Sequence, residues 1–132
     1  YIFTMKDSHI DLLIRIKNGY MANNESIKTR YSKFKEEILK VLKKLKYIED
    51  YSVNKKTKPS IKVKLAYDNN ESLITDIKIF SKPGRKYYIK SSDLKSNRLS
   101  IVSKILTTSS GVMTEVDAKK KKLGGELLFE IW

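Results

Sequence analysis

The spacing of apolar residues changes once along this chain, from a helical repeat to strict alternation, and that change restricts the fold to one that mixes helices with sheets. Ile10, Leu13 and Ile14, joined by Leu12 and Ile16, recur at helical spacing. Asp7 or Ser8 is placed to cap this helix, and Asn18-Gly19 is expected to stop it. After an extended piece around Ile27–Tyr31, Ser32 begins a second helix with Phe34, Ile38, Val41, Leu42 and Leu45 inward and Lys35, Lys40, Lys43 and Lys44 outward. Then Ile61, Val63, Leu65 and Tyr67 alternate with lysines, and Leu73, Thr75, Ile77 and Ile79 alternate with Asp76 and Lys78. Together with Tyr47–Val53 these runs predict a three-stranded meander, with turns at Lys58-Pro59 and Asp68-Asn69-Asn70.

A second module starts near Lys82-Pro83-Gly84-Arg85, which suits a type II turn because proline fixes one central dihedral and glycine accepts the positive one after it. The pattern that follows predicts a strand over Lys86–Lys90, a short helix capped by Ser92 or Asp93, and a strand over Ile101–Leu106. Thr114 with Asp117 forms a capping box for a helix through Lys122 closed by Gly124, and the last strand is expected over Leu127–Trp132. At 132 residues the chain has room for one ordinary domain or two small ones.

Lys and Arg number 28 against 15 Asp and Glu, a formal charge of +13. Such an excess points to a polyanionic partner. No apolar run approaches the roughly 20 residues a membrane helix needs, so no membrane partner is expected. Without cysteine there is neither a disulfide nor a thiolate metal site. The single histidine, His9, has no second histidine beside it, and neither a phosphate-binding loop nor a dinucleotide fingerprint occurs. The expectation is a chain with no catalytic residues, metal, cofactor or small-molecule substrate.

Small hydroxyls and paired glycines mark the candidate site: Thr107-Thr108-Ser109-Ser110-Gly111-Val112-Met113-Thr114-Glu115, and later Gly124-Gly125-Glu126. Hydroxyls both donate and accept, and glycines let another backbone come close. Glu126 repels phosphate, so at a nucleic-acid surface it belongs where it accepts a base or ribose donor or supports the site; otherwise it is a strand-end glutamate. Of Tyr87 and Tyr88, one is expected inward and one outward, with Tyr88 free to stack on a base or ribose. Lys82, Arg85, Lys86 and Lys90 are the candidate phosphate contacts, and Lys119–Lys122 add to the basic field.

Asp-Ser-His-Ile-Asp-Leu-Leu-Ile-Arg-Ile-Lys-Asn-Gly over residues 7–19, Ser32-Lys33-Phe34-Lys35, Tyr47-Ile48-Glu49-Asp50-Tyr51, Ser81-Lys82-Pro83-Gly84 with Tyr88, and the hydroxyl and Gly-Gly-Glu motifs occur in one order. In that order they resemble the universal family of small-subunit ribosomal protein eight. Thr107 stands where the family usually has serine, Glu115 where it has aspartate, Ser110 where lysine is common and Ser8 where proline is frequent. The resemblance implies an α+β fold of two small domains, an N-terminal α-β-α-β-β domain over residues 1–70 and a C-terminal mixed, α/β-rich domain over 71–132. It also implies direct binding of small-subunit ribosomal RNA, organisation of a helical junction during assembly, and neighbouring small-subunit ribosomal proteins as partners. The implied RNA site comprises Thr107, Thr108, Ser109, Gly111, Gly124, Gly125, Glu126 and Tyr88, with Lys82, Arg85, Lys86 and Lys90 beside them. The implied location is the small subunit of a ribosome, organellar or bacterial in type. The rival reading is a nonribosomal RNA-binding assembly or RNA-processing factor.

Overall fold

The computed structural model describes residues 9–82, 84–94 and 101–132. The expected Asp7 or Ser8 cap and the conformation of Pro83 lie outside the described residues, whereas the short helix expected to be capped by Ser92 or Asp93 is instead a 3₁₀ turn over Ser91–Asp93 that ends at the extended Leu94. Two compact units are present, Tyr1–Thr75 and Asp76–Trp132. Within the first unit the Tyr67 hydroxyl donates to the Asn24 carbonyl at 2.6 Å.

The first unit runs α1 (His9–Met21), β1 (Ser26–Arg30), α2 (Lys33–Lys44), β2 (Ile48–Asn54), β3 (Ser60–Leu65), β4 (Tyr67–Asp68) and β5 (Glu71–Ser72). Its main sheet has the order β1-β3-β2, antiparallel throughout. Alternation along β3 turns Ile61, Val63 and Leu65 inward, and α1 and α2 bury Leu12, Leu13, Ile16, Ile38, Leu39 and Leu42. Each such side chain contributes about 1.5–3 kcal/mol by leaving water.

The α-β-α-β-β order is observed, but two expectations about its elements fail. Helix α1 continues through Asn18-Gly19 to Met21, and the left-handed residue that ends it is Asn23 at φ 55°. Gly19 serves packing instead: a Cβ there would lie 2.5 Å from Ile27 Cγ2 and 3.0 Å from Leu65 Cδ1. The meander also fails, because the third strand of this sheet is β1 and not the run ending at Ile79. After Leu65 the chain reverses at Asn69 and Asn70, both at positive φ, in the short β4–β5 hairpin. Alternation identified residues 77–79 as a strand but carried no information about which strand they pair with.

Lys35 is the third departure. Expected outward, it is fully buried. Its Nζ donates to Thr29 Oγ1 at 3.0 Å, to the Arg30 carbonyl at 3.3 Å and to Asp11 Oδ2 at 3.3 Å. Ser32 caps α2 as expected, its Oγ accepting from the Lys35 amide at 3.1 Å.

The second unit runs β6 (Ile77–Ile79), β7 (Tyr88–Ile89), a 3₁₀ turn (Ser91–Asp93), β8 (Ser103–Thr108), β9 (Gly111–Thr114), α3 (Glu115–Lys120) and β10 (Gly125–Ile131). Strand β10 pairs with β6, β7 and β8, and β9 extends the sheet beyond β8. Leu94, Leu106, Met113, Ala118 and Leu127 form its buried cluster, with Phe80, Ile89 and Leu123 packed against them. Thr114 caps α3, its hydroxyl accepting from the Asp117 amide at 3.2 Å. The helix ends at Lys120 rather than Lys122, and the left-handed residue after it is Lys122 at φ 56°, not Gly124.

Candidate nucleic-acid interface

The hydroxyl motif is a β-hairpin. Thr107 and Thr108 end β8, Ser109 and Ser110 form the turn, and Thr108 pairs with Gly111 at the start of β9. Gly111 takes φ 108°, a conformation a side chain disfavours, which accounts for glycine at this corner.

Pairing registers bring the scattered candidates together. Glu126 on β10 lies opposite Thr107 on β8 and opposite Tyr88 on β7, and Thr107 lies opposite Val112 on β9. Directly opposed residues share a face, so Tyr88, Glu126, Thr107 and Val112 form one row across four strands. Their neighbours Leu127, Leu106 and Met113 point into the buried cluster on the other face. Tyr88 is 69% exposed at one end of the row. Glu126 and Thr107 are half-buried, and Ser109 is exposed at the hairpin tip. Among the described residues neither the Glu126 carboxylate nor the Thr107 or Ser109 hydroxyl has a protein partner. The row thus offers a carboxylate acceptor, hydroxyls of both polarities and an aromatic face.

The two glycines sit beside this row for a reason sequence reasoning missed. A Cβ on Gly124 would lie 2.6 Å from the Ile89 carbonyl and 2.9 Å from the Ser91 amide, and one on Gly125 would strike the Thr107 carbonyl. Neither glycine is at positive φ. They let β10 lie close to the chain's own backbone on both sides.

The Lys82–Arg85 turn closes as expected: the Lys82 amide donates to the Arg85 carbonyl at 3.1 Å, the Arg85 amide donates back at 2.9 Å, and Gly84 is at φ 79°. Lys82, Arg85, Lys86 and Lys90 are all exposed. The buried Ser81 hydroxyl ties this segment to β10, donating to the Leu127 carbonyl at 2.7 Å and accepting from the Tyr87 amide at 3.0 Å. The expected in-and-out arrangement of the tyrosines is not found. Tyr87 is 51% exposed, held edge-on to Phe80 with ring centroids 5.5 Å apart. Phe80, not either tyrosine, packs against the buried cluster here.

Sequence reasoning also passed over basic residues in the first unit. Arg15, Lys28, Arg30 and Lys58 border a concavity of about 650 Å³, together with Thr29 and Ser60. Arg15 is held there by Asp11, with Nε 3.1 Å from Oδ2. The outward positions of β1 and β3 carried the signal, since Lys28 and Lys62 are opposed across the pair. Among the described residues no cluster of acidic or histidine side chains is arranged to hold a metal ion, and no helix is long and apolar enough to cross a membrane.

Comparison with known proteins bears on this geometry. Residues 7–132 match the family model described as ribosomal protein S8. The chain is 38% identical over 128 residues to the small ribosomal subunit protein uS8 of Nitratidesulfovibrio vulgaris, covering 97% of this chain and 99% of that one. It is 39% identical over 129 residues to the uS8 of Acholeplasma laidlawii, with 97% and 98% covered. The uS8 of Nitrosomonas europaea shares 43% identity over 125 residues, with 94% and 95% covered. With its α+β architecture, the order of its motifs and a match across nearly the whole length, the chain belongs to the ribosomal protein S8 family.

Proposed function

We propose that this protein is a structural constituent of the small ribosomal subunit, that it binds small-subunit ribosomal RNA directly through its C-terminal unit, and that it fixes a helical junction during assembly beside neighbouring ribosomal proteins. The observation that carries this reading is the row Tyr88–Glu126–Thr107, flanked by the hydroxyl hairpin and the basic turn. A-form RNA hides its major groove, so a protein recognises it through 2′-hydroxyls, phosphates and the exposed edges or faces of irregular bases. The row matches those groups. The hydroxyls serve ribose or phosphate, Glu126 accepts a base or ribose donor, and Tyr88 stacks. The exposed cations neutralise the backbone. Catalysis forms no part of the reading, and the similarity to bacterial uS8 proteins favours a bacterial type of small subunit over an organellar one.

Binding to small-subunit ribosomal RNA, measured against an unrelated RNA duplex of equal length, tests the proposal. The wild-type protein is expected to prefer the ribosomal RNA, and Tyr88→Ala to lower that preference by about 1–3 kcal/mol, the value of a lost stack. Stoichiometric sedimentation with small subunits is expected in cells. Equal affinity for both RNAs, or absence from small subunits, would favour the nonribosomal factor.

A further inference from the structure

Thr107, Thr108 and Ser109, the first three of the hairpin's four consecutive hydroxyl residues, do not share one role. Strand alternation places Thr107 on the face of Glu126 and Tyr88, and it turns Thr108 to the opposite face, toward Leu106, Met113 and Leu127. The Thr108 hydroxyl is used within the protein. Its Oγ1 donates to the Gly111 carbonyl at 2.9 Å and accepts from the Ser110 amide at 3.2 Å. These two bonds span the turn from both sides, which fixes the direction in which Ser109 projects. The methyl of the same side chain faces β10: Thr108 Cγ2 lies 3.1 Å from where a Gly125 Cβ would stand. One side chain therefore braces the hairpin internally and against the Gly-Gly segment.

Resting on the RNA-binding reading above, we infer that Thr108 is a positioning residue which holds the hairpin in its binding geometry without touching RNA, and that Thr107 and Ser109 present the recognising hydroxyls. Valine at 108 keeps the methyl and the shape but removes both hydrogen bonds, leaving the Ser110 amide without its acceptor. Serine keeps the hydroxyl and loses only the methyl. A direct RNA contact and a positioning bond are thus separable by a measurement on the free protein.

The experiment uses the full chain in three variants, Thr108→Val, Thr108→Ser and Thr107→Val, with affinity for small-subunit ribosomal RNA and hydrogen exchange of the Ser110 amide in the absence of RNA as readouts. For Thr108→Val, both a faster Ser110 exchange and a weaker affinity are expected, each by roughly five- to ten-fold, the scale of a lost hydrogen bond. Thr108→Ser is expected to restore most of both. Thr107→Val is expected to weaken binding while Ser110 exchanges as in the wild type. A Thr108→Val protein that loses affinity with Ser110 exchange unchanged would overturn the inference, because the hydroxyl would then be an RNA contact. Unchanged exchange and unchanged affinity would overturn it too. If Thr108→Val speeds exchange but none of the three variants alters affinity, the hairpin brace stands while the placement of the RNA surface fails.

Discussion

At the scale of single residues the chain contains a lysine that breaks the rule its own helix suggests. Lys35 is buried with Asp11, Thr29 and the Arg30 carbonyl around its amino group, and these partners help to offset the several kcal/mol that removing its charge from water costs. Asp11→Ala removes the carboxylate that pairs with this ammonium at 3.3 Å and is expected to destabilise the protein by about 3 kcal/mol; adding Lys35→Met in the same chain is expected to recover most of the loss. Chemical denaturation of the single and double variants checks this. Gly125 is the second such residue. Even Gly125→Ala places a Cβ against the Thr107 carbonyl, so the free protein is expected to lose about 1–3 kcal/mol, read from its melting before any RNA is added. A variant that melts like the wild type but fails to bind RNA would instead point to steric exclusion by the RNA.

Among the elements, α1 is fastened to the sheet by one phenol. The Tyr20 hydroxyl donates to the Tyr47 carbonyl at 2.6 Å and accepts from the Ala66 amide at 2.9 Å. Burial raises its pKa above the usual 10.0, the Ala66 amide opposes the rise, and nearby Tyr67 adds to it. A raised value means that the native state holds the proton more tightly than the unfolded chain. That contribution to stability is complete below pH 10 and is lost as pH rises through the folded value. Tyr20→Phe is expected to cost about 1–3 kcal/mol at neutral pH and to flatten the alkaline fall in stability, as urea midpoints across alkaline pH will record. Elements of this kind were legible in the sequence wherever a local rule decides them: Ser32 and Thr114 cap their helices, and alternation marks β3. Pairing was not legible. Residues 77–79 read as a strand, yet nothing local says that they pair with Phe129–Ile131. The helix stops at Gly19 and Gly124 were misread for a related reason, since both glycines answer to packing from remote segments rather than to chain reversal.

Over the whole molecule the charge of +13 sets the expected behaviour toward polyanions. Neutralising Lys82, Arg85 and Lys86 is expected to reduce the log–log salt slope of RNA binding by roughly 0.7–0.9 for each phosphate these cations no longer neutralise, and an unchanged slope would show the side chains to be only solvated. The candidate site itself was legible as a set of residues through the family motifs, but its organisation was not. The sequence presents Thr107, Thr108 and Ser109 as equivalent, and strand alternation makes them unequal. Strand β10 has a further consequence. It pairs with β6, β7 and β8, and it supplies Glu126 to the row. The first unit, by contrast, is built from a contiguous earlier stretch of chain. During synthesis the first unit therefore has all its strands while the second still lacks its hub, and Tyr88 and Thr107 are joined into one row only when Glu126 arrives between them.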